Sequence, residues 1–176
     1  MLININKSLD ENYRYKMPSI IIKIGGSGNG TFTIINNMDE IAEAINTPPE
    51  ILYKYISYTL GSAFNEKKKS FTGHHNNIQN IIFEYINTFV ICSTCLVPEL
   101  TYYLHKISVK KNILENKCSA CGKINSIKAN NKIVDKCIDT IIKYLSREGN
   151  WITNNGNMGT SLLENEPTHE PGVLDI

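Results

Sequence analysis

The sequence predicts an α+β fold: an antiparallel sheet with helices, followed by a small ribbon and a closing helix. Three observations lead there. Within residues 1–88 the periods run strand, strand, helix, helix, strand, strand, helix, which excludes an alternating βαβ fold with a parallel sheet. Residues 89–130 read as strands interrupted by two Cys-x2-Cys pairs. Ile133, Val134, Cys137, Ile138, Ile141, Ile142 and Leu145 then recur at helical spacing.

Each element has its own signal. The first 19 residues show no period and end in Tyr13-Arg14-Tyr15-Lys16-Met17-Pro18, extended backbone before a proline. A mobile segment is expected there. Ser19–Ile24 is a β-branched run and Thr31–Ile35 a second strand; between them Gly25–Gly30 forms a long, glycine-rich hairpin tip. Asn37 with Glu40 three residues on reads as a capping box for a helix from Met38 to Ile45. Thr47-Pro48-Pro49-Glu50 starts a second helix, with Ile51, Leu52, Tyr55 and Ile56 as its buried face. Ser57–Phe64 and Ser70–Thr72 read as strands around Lys67-Lys68-Lys69, and a third helix covers about 76–87. The expected organisation is an α+β domain over 1–88, a ribbon with its closing helix over 89–147, and a disordered acidic tail over 148–176.

Composition narrows the function class. The chain has 176 residues, 41% hydrophobic and 20% charged, which is globular rather than disordered. No apolar run approaches the ~20 residues of a membrane span, and the charged first 20 residues lack a signal core. A cytoplasmic monomer without a membrane partner is expected. The net charge of +1 hides a split: 1–88 is neutral, 89–147 carries +6 and 148–176 carries −5. A basic middle suits a polyanion, and ordinary surface charge explains the counts as well. Lys outnumbers Arg 16 to 2, which draws attention to Arg14 and Arg147.

Four of the five cysteines form Cys92-x2-Cys95 and Cys118-x2-Cys121, 22 residues apart. Two knuckles at that distance can close on one tetrahedral zinc through four thiolates. Disulfides compete, but an intracellular chain disfavours them. A redox motif needs only one pair, at the start of a helix. Such a site has no open coordination position, so its Zn²⁺ is structural, and its binding energy replaces a core too small to stand alone. Cys137 falls on the apolar stripe of the last helix and reads as a core thiol. His74, His75, His105 and His169 lack a second ligand at metal spacing.

Two loops carry weaker signals. Gly25–Gly30 is followed by a strand and no Lys-Ser/Thr, so phosphate-loop and dinucleotide readings fail. It remains either a loose turn or a tip able to approach another surface closely, with Asn29 able to take positive φ. Lys67, Lys68 and Lys69 either contact phosphates or form a solvated turn.

Taken together, Met1-Leu-Ile-Asn-Ile-Asn6, Tyr13-Arg-Tyr-Lys-Met-Pro18, Gly28-Asn-Gly30, Leu60-Gly61, Gly73-His-His75, Phe89-Val-Ile-Cys92 and Cys118-Ser-Ala-Cys-Gly122 resemble the N-terminal domain of the eukaryotic translation initiation factor 5 family over about residues 1–147. The beta subunit of initiation factor 2 is related through the second half. The resemblance implies an initiation factor 1-like α+β subdomain followed by a zinc ribbon. It implies a GTPase activator rather than an enzyme in its own right. The partners would be the gamma subunit of initiation factor 2 with GTP, initiator tRNA and the small ribosomal subunit. On the residues that match, the catalytic arginine falls on Arg14 and a second basic residue linked to activity on Lys54. Contacts to ribosome and tRNA fall on Lys23, Gly26, Ser27, Gly28, Asn29, Gly30, Lys67, Lys68 and Lys69. Phe32, Ser27 and Thr47 stand where the family usually has basic residues. These departures, and the expected lack of a C-terminal helical-repeat domain, keep open an alternative: a non-catalytic module that occupies the same site and tunes start-codon selection.

Overall fold

A computed structural model of the chain describes residues 1–108, 111–127 and 129–149. The segment expected to be mobile is instead a β-hairpin, in which β1 (Leu2–Asn4) pairs with β2 (Lys16–Pro18) in the register Leu2↔Pro18 and Asn4↔Lys16. The cause is an alternation too short to register as a period. Tyr13, Tyr15 and Met17 pack on the core, while Arg14, at a bend just before β2, stays exposed. Met17 is fully buried, and Ile5 beside β1 nearly so.

The central sheet is antiparallel in the order β3-β4-β6-β5, built from β3 (Ile22–Gly25), β4 (Phe32–Ile35), β5 (Phe64–Asn65) and β6 (Ser70–Thr72). Helix α1 (Met38–Ala44) starts at Asn37, but the expected capping box does not form. Asn37 is buried and cross-links the approach to β3 instead: its Oδ1 accepts from the Ile21 N–H and its Nδ2 donates to the Ser19 carbonyl, both at 2.8 Å. With its oxygen and its nitrogen both engaged by this main chain, the Asn37 amide does not cap the helix.

Helix α2 (Pro49–Leu60) runs through Ser57–Leu60, which the sequence reading gave to a strand. It stops where Gly61 takes φ 61° and donates to the Ser57 carbonyl. Tertiary contact overrides the local β preference, because the Tyr58 hydroxyl is 2.9 Å from Thr140 Oγ1. Helix α3 (Ile78–Tyr85) passes into a single π-turn, Ile86–Val90, which leads into the first cysteine pair.

The ribbon is a three-stranded antiparallel sheet of β7 (Leu100–Ser108), β8 (Lys111–Cys118) and β9 (Ile124–Ser126). Helix α4 (Lys132–Glu148) is capped by Asn131, whose Oδ1 accepts the Ile133 and Val134 N–H groups at 2.9 Å each. Its buried face, Val134, Cys137, Ile141, Tyr144 and Leu145, joins the same core as α2 and α3. Arg147 at its end reaches Glu50 of α2 at 2.8 Å. Glu148, which the sequence reading assigned to the tail, is the last residue of α4, and Gly149 caps it. The rest of the expected acidic tail, 150–176, lies outside the described residues.

Candidate metal centre and arginine hairpin

The two cysteine knuckles are built alike. In the first, Cys92 donates to the Val97 carbonyl at 3.0 Å, and its own carbonyl accepts the Leu96 N–H at 2.9 Å. In the second, Cys118 donates to Lys123 at 3.0 Å and accepts from Gly122 at 2.9 Å. Leu96 and Gly122, one residue past each pair, both take left-handed backbone, with φ 59° and 72°. Glycine does this freely and leucine at a cost. Ser119 also donates to the Glu99 carbonyl at 2.9 Å, which ties the second knuckle to the chain leaving the first.

This backbone brings four sulfurs together, all within 4.8 Å of one another, with Cys92–Cys121 at 3.8 Å and Cys95–Cys118 at 3.6 Å. Sulfurs bonded at ~2.3 Å to one tetrahedral ion lie about 3.8 Å apart, so the donor set fits such an ion. The separations exceed the ~2.05 Å of a disulfide, and all five cysteines are free. Burial would raise the Cys92 thiol, but the backbone N–H groups of Cys95 and Thr94 outweigh it and bring it down to about 7. Burial pushes Cys118 up to about 12. Cys137 stands apart, fully buried on α4, where desolvation raises its thiol far above the usual range. No histidine joins the cluster among the described residues.

Arg14 lies on the loop between β1 and β2, exposed, its guanidinium 5.6 Å from the Tyr15 ring centre. Among the described residues no acid pairs with it. Arg147, the other arginine, is held by Glu50 at 2.8 Å and Glu148 at 2.6 Å. The Arg14 loop is tightly bonded. Asn4 Nδ2 donates to the Ser8 carbonyl at 2.8 Å and the Asp10 carbonyl at 2.7 Å, Lys16 Nζ to the Glu11 carbonyl at 2.8 Å, and Ile5 N to Tyr15 O at 3.2 Å. Tyr15 donates its hydroxyl to Glu99 Oε1 at 2.5 Å, a bond that holds the phenol's pKa up at about 12.

The remaining predicted residues gather elsewhere. Lys54 on α2 bonds Glu66 at 2.9 Å, a contact that raises the ammonium and lowers the carboxylate. Lys67, Lys68 and Lys69 line an open hollow of about 390 Å³ together with Glu66, Asp39 and Tyr53, and Lys69 lies 3.5 Å from Asp39. Lys54 therefore belongs with the lysine turn through Glu66. Lys23 is exposed on β3, and the glycine tip ends in a 3-10 turn over Gly28–Gly30. Gly26 and Gly28, not Asn29, take positive φ there, and a Cβ on Gly26 would collide with the Gly30 carbonyl. Of the departures from the family pattern, Thr47 is buried and Phe32 covers Gly25 with its ring.

Sequence reasoning missed Asn4 and Glu99. The alternation Tyr13-Arg14-Tyr15-Lys16-Met17 was a signal for the hairpin that carries Arg14. Nothing local identifies Glu99, because its partner is 84 residues away.

A family model described as a domain found in initiation factors 2B and 5 matches residues 5–124. The chain is 40% identical to eukaryotic translation initiation factor 5 of Caenorhabditis elegans over 129 residues, 69% of this chain and 28% of that protein. It is 36% identical to the Saccharomyces cerevisiae factor over 130 residues, 70% and 31% respectively. For Dictyostelium discoideum the figure is 32% over 149 residues, 82% and 37%. The chain thus spans about a third of the length of these relatives. With the model match covering most of the folded region, the chain belongs to the translation initiation factor family defined by the domain that initiation factors 2B and 5 share.

Proposed function

We propose that this chain is a GTPase activator in translation initiation, acting on initiation factor 2 carrying GTP and initiator tRNA on the small ribosomal subunit. One observation supports it most: Arg14 stands exposed on a hydrogen-bonded loop with no acidic partner among the described residues, in a chain that has 16 lysines and only one other arginine. An arginine supplied in trans neutralises charge on the γ-phosphoryl oxygens, and such fingers contribute ~10³–10⁵ in rate. Its planar fork, which lysine lacks, bonds two oxygens at once. The tyrosines on either side pack against the core, and the arginine between them is left at the surface of the loop.

Zinc is the ion we propose for the four cysteines. A set of four thiolates suits it, and with no open position it stabilises the ribbon rather than reacting. The glycine tip with Lys23 and the lysine turn supply two projecting surfaces for RNA phosphates on the ribosome or tRNA.

Single-turnover GTP hydrolysis in a reconstituted initiation complex tests the reading. Stimulation by the wild-type chain and its loss in Arg14→Ala, with binding retained, is the expected result. Binding without stimulation would instead favour the site-occupying module, which the neutral residues Ser27, Phe32 and Thr47 motivate.

A further inference from the structure

We infer that Tyr15 and Glu99 are positioning residues for Arg14, a bridge that fixes the arginine hairpin to the second cysteine knuckle. This rests on the reading of Arg14 proposed above. Glu99 is held at both ends. Its main-chain carbonyl accepts the N–H of Ser119, the residue after Cys118, at 2.9 Å. Its carboxylate accepts the Tyr15 hydroxyl at 2.5 Å across 84 residues of sequence.

Tyr15 is the immediate neighbour of Arg14, and the guanidinium lies over its ring at 5.6 Å. The Tyr15 carbonyl also receives the Ile5 N–H at 3.2 Å, at the end of β1. The base of the loop is thus tied to the ribbon through one side chain, while Asn4 braces its far side. Hydrogen bonds to a carboxylate are short and roughly twice as strong as neutral ones. An arginine that must meet a phosphoryl group on another protein loses rate steeply when its carrier swings, since misplacement by 1 Å can cost ~10²-fold. Packing alone asks only for the ring of Tyr15, so the hydroxyl and its acceptor are what the inference isolates.

The test uses the metal-loaded protein, with metal content measured for every variant. Tyr15→Phe keeps the ring and removes the bond; Glu99→Ala removes the acceptor; Glu99→Gln restores a neutral one. Hydrogen exchange of the amides of residues 10–15 should rise several-fold in Tyr15→Phe and Glu99→Ala, no further in the double variant, and less in Glu99→Gln. Stimulated single-turnover hydrolysis should fall roughly 10- to 100-fold in the first two, with half-saturating concentration unchanged and partial recovery in Glu99→Gln.

Unchanged exchange at 10–15 in either Tyr15→Phe or Glu99→Ala overturns the bridge. Full hydrolysis in both, beside an inactive Arg14→Ala, overturns the positioning role. Loss of metal in Glu99→Ala with normal exchange in Tyr15→Phe also overturns it, because Glu99 would then act only on the ribbon. If Arg14→Ala itself leaves hydrolysis unchanged, the finger falls and the positioning role with it, while exchange still decides the physical tie.

Discussion

At residue scale, the two knuckles differ in one informative way. Gly122 takes left-handed backbone without strain, whereas Leu96 takes the same conformation with a side chain that is 68% exposed. Left-handed backbone costs a non-glycine residue roughly 1–2 kcal/mol, and glycine returns part of that by raising the entropy of the unfolded chain. Leu96→Gly should therefore stabilise the metal-loaded protein by up to about 1 kcal/mol, read as a higher denaturation midpoint. Arg14 and Arg147 form a second contrast. Arg147 is engaged by two carboxylates at the exposed end of α4, so Arg147→Ala should alter stability slightly and hydrolysis not at all. The sequence marked Arg14 because arginine is rare in this chain. It hid the partners of Tyr15 and Asn37, whose bonds span distances that no local pattern records.

At element scale, short-range patterns foretold the helices well and their ends poorly. The stripe in α4 was plain in residues 133–145, and the Asn131 cap adds two N–H bonds that no apolar count could show. Asn131→Ala should cost about 1 kcal/mol, measurable by denaturant unfolding. The strand expected over Ser57–Phe64 is helix as far as Leu60, because the contact with α4 decides that stretch. The first hairpin was overlooked for the opposite reason: three-residue strands are shorter than any window that detects a period. The cysteine pairs were legible because spacing alone constrains a tetrahedral site, and folding did bring all four sulfurs together.

At the scale of the whole molecule, the ribbon and the α+β region are not energetically separate. Tyr55, Tyr85 and Phe89 pack with ring centres 5.1–6.0 Å apart, Tyr85 stacked on Phe89 and Tyr55 edge-on to both, Tyr102 of β7 donates to the Phe89 carbonyl at 2.8 Å, and α4 covers α2 with Ile141 fully buried. Ile141→Ala should cost about 2–5 kcal/mol and lower the melting of the whole fold in one transition. Removing the metal should act through the same core. A chelator or Cys118→Ser should unfold the ribbon and also weaken the docking of α4 on α2, visible as faster amide exchange in both helices. Acidification should release the ion, because each thiolate must stay deprotonated to bind it. Stability therefore rises with pH as the ligands lose their protons, and is lost as the pH falls and they regain them.

In the function proposed above, Arg14 acts in the transition state on a partner's GTP. The most direct test is single-turnover hydrolysis by the reconstituted GTP-bound initiation complex, with binding measured in the same preparations of wild type, Arg14→Ala and Arg14→Lys. A group that stabilises charge developed only in the transition state should, when lost, lower the rate and leave affinity intact. Hydrolysis should fall ~10³-fold or more in Arg14→Ala, recover little in Arg14→Lys, and fall less in Lys54→Ala. Equal rates for wild type and Arg14→Ala, at equal occupancy, would contradict this role of Arg14.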